Sequence, residues 1–198
     1  MNIHSACQTI KPDKRDEIFR AALEVIAEHG FHAAPMAIIA QRAGVGAGTI
    51  YRYFESKEVL INELYHTIEK KIYPVLLEQY VPEKPLKERF EHVCTTLLQY
   101  FIDNPLDFSY LEQFHNSPFG IIVRRERILG TGNSDLYRVL FDEAVKNKVM
   151  KDLPLAVLYA LTFGPLTFVA RDHILGFVHL DDELISRTIG ACWDCLKR

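Results

Sequence analysis

The sequence lacks an excess of positive charge. Its 23 Lys and Arg stand against 26 Asp and Glu, a formal net charge of −3 over 198 residues. That argues against a generic polyanion binder, which carries its cations in bulk. Any nucleic-acid contact must come from a few placed cations, doubled by a symmetric dimer. Cysteine is scarce too. Cys7, Cys94, Cys192 and Cys195 are too few and too scattered for a disulfide framework, which points to a reducing compartment. Cys192 and Cys195 form a C-x-x-C with no paired motif elsewhere, so they read as small residues of a helix interface. No uninterrupted apolar run reaches the ~18–20 residues of a membrane helix. The opening MNIHSACQTIKPDKRDE has no apolar signal core, so a cytoplasmic protein is expected. There is no H-E-x-x-H, no G-x-S-x-G and no carboxylate–histidine cluster at helical spacing that fits a catalytic or metal-binding set. Neither an enzyme nor a metal or cofactor site is expected.

What is present is helical periodicity. No stretch alternates as a half-buried strand does, and there is no internal repeat or low-complexity tract. Residues 1–11 read as a flexible arm. The spacing predicts helices over 12–29, 35–42, 47–54, 57–79, 86–103, 105–115, 119–129, 134–146, 154–175 and 181–196. Phe19, Ala22, Leu23 and Ile26 give the first an apolar face, and Gly30 stops it. Ala34 stands where a capping hydroxyl is expected and cannot cap. Pro74 should kink or end the fourth helix, and Gly164-Pro165 should bend the ninth. Asn104 is expected to cap the sixth. The fold class is therefore all-α. A small head over 12–72 is followed by a larger body over 73–198, with Pro82 and Pro85 marking the connection.

The head is organised around AGVGAGTIYRYFESKEVL, from Ala43 to Leu60. Gly44 sits where a helix stops, in the left-handed region that glycine enters cheaply. Gly46 and Gly48 keep the next helix start free of bulk. Ile50 and Phe54 share one face, four residues apart. Thr49, Tyr51, Arg52 and Tyr53 mostly face away from it. Ser56 caps a further helix, and Lys57 stands in its first turn. A hydroxyl, two phenols and two cations outside a short anchored helix suit a phosphate backbone and a few base edges. The glycine-rich run is no nucleotide loop, since no strand precedes it and no Gly-Lys-Ser/Thr follows.

Residues 31–60 resemble the helix-turn-helix of TetR-type (TetR/AcrR) transcriptional regulators. The matches are Ile39-Ala40, Ala43-Gly44-Val45, Gly48-Thr49-Ile50-Tyr51, Tyr53-Phe54 and Ser56-Lys57-Glu58. The resemblance implies a DNA-binding set of Pro35, Gly46, Ala47, Gly48, Thr49, Tyr51, Arg52, Tyr53 and Lys57. Within it, Thr49, Tyr51 and Lys57 grip phosphates, and Tyr53 and Arg52 lie near backbone or base edges. Arg52 is the candidate for a guanine, because its fork meets two acceptors at once. The family often has a small polar residue and then a cation where this chain has Gly46 and Ala47, so two contacts are missing.

The resemblance also implies a body with a small-molecule cavity. Candidate lining residues are Phe101, Tyr110, Phe114, His115, Phe119, Tyr137, Phe141, Tyr159, Phe163 and Phe168, with Tyr110, His115 and Tyr159 as polar anchors. Arg124, Arg125 and Arg127 read as a solvated face or an attractor of an anionic ligand. The last two helices are too apolar for one short chain to cover. A four-helix dimer interface is expected, with Leu158, Leu161, Leu184, Ile185, Thr188, Ile189, Cys192 and Trp193 in it. The expected protein is thus a ligand-responsive repressor, a homodimer on a palindromic operator, released by a small apolar effector. Two alternatives stand beside it: a DNA-binding regulator controlled by a protein partner or thiol oxidation, and a helical enzyme acting on a small apolar substrate.

Overall fold

The computed structural model describes residues 13–130 and 135–198. The predicted arm, Cys7, Pro12 and Ser134 lie outside the described residues. Among the described residues the chain forms ten helices: α1 (Lys14–His29), α2 (Met36–Arg42), α3 (Ala47–Tyr53), α4 (Lys57–Leu77), α5 (Leu86–Asp103), α6 (Pro105–His115), α7 (Pro118–Leu129), α8 (Leu136–Lys146), α9 (Leu155–Ile174) and α10 (Asp182–Leu196). The all-α expectation holds. The chain divides into two compact units, Met1–Leu64 and Tyr65–Arg198, and α4 runs through the division.

In the first unit α1 starts because Asp13 accepts from the Arg15 N–H, and it stops at Gly30, whose φ of 77° only glycine adopts freely. Ile18, Phe19, Ala22, Val25 and Ile26 turn inward from it to meet Ile39 and Ala40 of α2, Ile50 of α3, and Phe54. Each large side chain so buried contributes about 1.5–3 kcal/mol. The capping expectation at Ala34 needs correction. Pro35 is the N-cap residue, extended and with no side-chain bond, while Ala34 is fully buried one position earlier. α4 begins on Ser56, whose hydroxyl accepts from the Val59 N–H at 3.3 Å. It continues past Pro74 to Leu77, so the proline opens the last turn rather than ending the helix. The stop comes at Gln79, in the left-handed region at φ 58°.

In the second unit α5 is the hub, packed by α6, α8, α9 and α10. Its inward face includes Phe90, Val93, Cys94, Leu97, Leu98 and Phe101. Asn104 does not cap α6 with its side chain. It donates instead to the Tyr100 carbonyl and closes the end of α5. Ser117 caps α7, accepting from the Gly120 N–H at 3.3 Å and donating to the Phe114 carbonyl at 2.6 Å. Gly120 is demanded by this corner: a Cβ there would lie 2.1 Å from the Phe114 carbonyl oxygen.

The uncharged run of α9 ends at Arg171 and Asp172, short of a membrane span. Averaged over its length, Leu155–Ile174 is nonetheless long and apolar enough to cross a membrane, with a mean hydropathy of 1.2 over its best window. The helix is apolar on more than its core face: Leu158, Thr162, Leu166 and Ala170 are buried, while Val157 and Phe168 are exposed. The C-terminus returns to the connection before α9 through one antiparallel bridge, Met150 with Lys197, where the Lys151 N–H donates to the Leu196 carbonyl at 2.8 Å.

Candidate nucleic-acid interface

The turn between α2 and α3 is built by its backbone. Gly44 takes φ 66°, and the Val45 N–H returns to the Ala40 carbonyl at 2.9 Å. Gly46 then starts α3 from an extended conformation, with no side chain to cap it. Ile50 and Phe54 are wholly buried, and Phe54 packs on Phe19 with ring centroids 5.1 Å apart. Arg15 lies over both rings and pairs with Glu63. The rotation of the seven-residue α3 is therefore set by one inward residue, Ile50, and by Phe54 just past its end.

That rotation leaves a consistent outer face. Gly46, Ala47, Gly48, Tyr51 and Arg52 are exposed, and Thr49 and Tyr53 are half-buried. Tyr51 is 54% exposed. Arg52 rests over the Tyr53 ring at 5.6 Å and has no carboxylate partner among the described residues. A Cβ at Gly48 would touch nothing within 4 Å, so no internal contact requires a glycine there. Pro35 is exposed at the head of α2. Arg42, in contrast, is engaged within the head: its guanidinium meets Glu28 at 2.8 Å and Glu24 at 3.3 Å on α1.

Lys57 differs from the sequence reading. Its ammonium donates to the Phe31 carbonyl and ties the start of α4 to the chain just after α1. Half-buried there, it is shifted below the ordinary lysine range by desolvation. Glu58 beside it is held below the usual carboxylate range by its own backbone N–H and by the Ser56 hydroxyl. Lys57 is therefore first a strut of the head.

This geometry agrees with two family models. Residues 18–64 match that of bacterial regulatory proteins of the tetR family, and residues 85–197 match a tetracyclin repressor-like C-terminal domain. The chain belongs to the TetR family. It is similar over 95% of its length, at 24% identity, to an HTH-type transcriptional regulator of Haemophilus influenzae, and covers 98% of that protein. Among solved structures it resembles a TetR-family regulator from Vibrio parahaemolyticus, at 32% identity and a TM-score of 0.75, over 94% of this chain and 99% of that one. A TetR-family regulator from Marinobacter aquaeolei matches at 25% identity and a TM-score of 0.80, over 93% and 96%. The protein is thus a transcriptional regulator with a DNA-binding helix-turn-helix, and the family consists of regulators, not enzymes.

In the body, the candidate ligand residues fall into separate groups. Phe114 stacks on Tyr65 of α4 at 4.0 Å and lies 6.0 Å from Tyr110. Phe101 packs on Phe108 at 5.1 Å. Tyr137, Phe141, Tyr159 and Phe163 form an aromatic set between α8 and α9, with centroids 4.7 to 5.5 Å apart. Phe119 is half-buried. One of the candidates is corrected. Phe168 is 62% exposed, under the guanidinium of Arg171, and lines no interior of its own chain. His115 ends α6 with much of its residue surface exposed, but its ring edge lies against Tyr65 and Phe114, and desolvation, with Arg127 close by, holds its imidazole below the ordinary histidine range, at about 4.

The sequence reading missed the polar network that links these groups. Arg127 bonds Glu69 of α4 at 2.6 Å and Asp135 at 3.2 Å, and donates to the Tyr65 hydroxyl at 3.2 Å. Tyr159 donates to Asp135 at 2.9 Å, and Asp135 also caps α8. The solvated-face reading suits the exposed Arg124 and Arg125 but not Arg127. A second junction joins α4, α5 and α6: the buried Asp107 accepts from Tyr100 at 2.6 Å and meets Lys71 at 3.3 Å. The links of α4 to these groups, Lys71 to Asp107 and Arg127 to Tyr65 and Glu69, join residues 36 to 62 positions apart, where no local pattern pairs them.

Five of the eight residues expected in a dimer interface face their own chain instead. Leu158, Ile185, Ile189, Cys192 and Trp193 are buried, and Trp193 packs on Phe90 at 5.3 Å. Leu161, Leu184 and Thr188 stay half-buried. The outward apolar line of α9 is Val157, Leu161, Gly164 and Phe168, and that of α10 is Leu184, Thr188, Ala191 and Cys195. The sequence reading mixed the inner stripe with the outer one because both stripes are apolar. Cys94 and Cys192 are buried, and burial pushes both thiols up, which makes them poor nucleophiles.

Proposed function

We propose that this chain is a ligand-responsive repressor that binds a palindromic operator as a homodimer in the cytoplasm and is released by a small, mainly apolar molecule. Residues 12–72 serve as the DNA-binding domain, 73–198 as the ligand-binding and dimerisation domain, and 1–11 as an arm. The reading rests on one observation above the rest. α3 is locked by buried Ile50 and Phe54, while Tyr51 and Arg52 stand exposed without a partner of opposite charge among the described residues. Such a helix lies in the major groove, where Arg52 can meet a guanine and Thr49, Tyr51 and Tyr53 the adjacent backbone. Gly46, Ala47 and Gly48 let the backbone of the duplex come close, and Pro35 and Lys57 flank the contact. The modest charge of the chain means that two copies must act together.

The outward faces of α9 and α10 supply the pairing, their symmetry mates completing a four-helix interface. The effector works from the body through α4, which carries Lys57 at its start and Tyr65, Glu69 and Lys71 further along. It can act only by binding the two settings of that helix unequally. The test is to select a duplex from a random pool and weigh the complex by light scattering. Two copies per two-fold-symmetric site, spaced by roughly 34–36 Å or a multiple, are the expected result. One copy per site, or no selected symmetry, contradicts it.

A further inference from the structure

Two hydroxyls in the body are cut off from solvent and have no hydrogen-bond partner among the described residues: Tyr137 Oη on α8 and Thr162 Oγ1 on α9. A buried hydroxyl left alone is unfavourable compared with one that is paired or replaced by apolar atoms. Native proteins leave few such groups, and two on helices that pack together call for a cause. Thr162 is 1% exposed and lies on the inner face of α9, one turn after Tyr159. Tyr137 meets the next residue of that helix, Phe163, edge-on at 4.7 Å. Phe141 and Tyr159 continue the aromatic surroundings at 5.5 Å from each other. Burial also pushes the Tyr137 phenol far above its ordinary range, so it stands as a neutral donor.

The ionised groups close by are already matched. Arg127, the cation that acts on Tyr137, is engaged by Glu69 at 2.6 Å and Asp135 at 3.2 Å. A carboxylate or phosphate arriving here would find the guanidinium occupied and two carboxylates repelling it. An ammonium would have to displace Arg127 from those same carboxylates. Among the described residues, what this part of the body lacks is an acceptor for two hydroxyl protons.

We propose that Tyr137 and Thr162 are the polar end of the effector site, and that it takes an uncharged, mainly apolar molecule carrying a carbonyl or similar acceptor oxygen. This rests on the reading of the body as effector-binding and names the chemistry of its occupant. The same site has an outlet: Tyr159, one turn from Thr162, holds Asp135, which holds Arg127, which holds Glu69 on α4.

The full chain is titrated with three probes of one shape, naphthyl methyl ketone, naphthoate and naphthylmethylammonium, following probe fluorescence and thermal unfolding. The ketone is expected to bind at least about tenfold tighter than either ion. Tyr137→Phe and Thr162→Val should each weaken it roughly five- to tenfold, and Thr162→Ser should retain it. Without probe, both variants should unfold at the parent's temperature or above, because each removes an unpaired polar group. Naphthoate binding as tightly as the ketone, ketone affinity unchanged in both variants, no ketone binding up to its solubility, or a clear fall in unfolding temperature without probe would each overturn the proposal. Ketone binding of the expected pattern that leaves operator affinity untouched keeps the site and sinks effector control. Operator release by naphthoate alone does the reverse.

Discussion

Arg52 and Arg127 show how differently the two units use the same chemistry. In the head, Arg52 and Tyr51 point outward from α3 and have no partner of opposite charge among the described residues. In the body, Arg127 points inward and is held by Glu69, Asp135 and the Tyr65 hydroxyl. A polar group left unengaged on a rigid helix contributes little to folding and is available to a partner. A polar group bonded inside the fold does the opposite: removing it costs stability, and moving it shifts the elements it joins.

The largest effect that would break the contrast is in the body. Asp135→Ala removes the α8 cap, an acceptor of Tyr159 and a partner of Arg127 at once. It should cost about 3 kcal/mol of stability, read as a fall of roughly 6–12 °C in unfolding temperature. An unchanged temperature would mean that the network is slack and carries no signal. Lys57→Ala comes next, because this residue belongs to both classes. Losing the bond to the Phe31 carbonyl should lower stability by about 1 kcal/mol, and operator affinity should fall with it, with a shallower dependence on salt. Loss of stability alone would place Lys57 wholly with the struts. The smallest effect is that of the exposed Arg42–Glu28 pair. Hydrogen bonding to Arg42 lowers the folded carboxyl below its unfolded value, so its contribution is present above that unfolded value and fades as pH falls through the folded one. The Arg42→Gln variant should therefore show a slightly weaker loss of stability in mild acid than the parent, by urea unfolding at a series of pH values.

The head was legible in the sequence because its determinants are local. Gly44, Ile50, Phe54 and Ser56 act within a few residues of one another, and each turn and cap follows from a neighbour. At Lys57 the sequence did not show the bond to the Phe31 carbonyl, because that partner lies 26 residues away. The helices of the body were legible from periodicity, but not the faces of α9 and α10. There apolar residues line two sides of a helix, and only packing distinguishes Leu158 from Leu161 or Ile189 from Thr188. The Glu69–Arg127–Asp135–Tyr159 network was invisible because pairing across four elements leaves no spacing to read. The two orphan hydroxyls were hidden for the same reason: Tyr137 looked like one aromatic among many, and Thr162 like an ordinary helix residue.

The central claim is that the outer face of α3 binds a duplex with groups the fold itself does not need. The most direct measurement pairs operator affinity at fixed salt with unfolding temperature for Tyr51→Phe combined with Arg52→Ala. Affinity should fall by about thirtyfold or more, at roughly 1–3 kcal/mol for the arginine alone, while the unfolding temperature stays within about a degree of the parent. Unchanged affinity, or a loss of binding that merely follows a loss of stability, would contradict it.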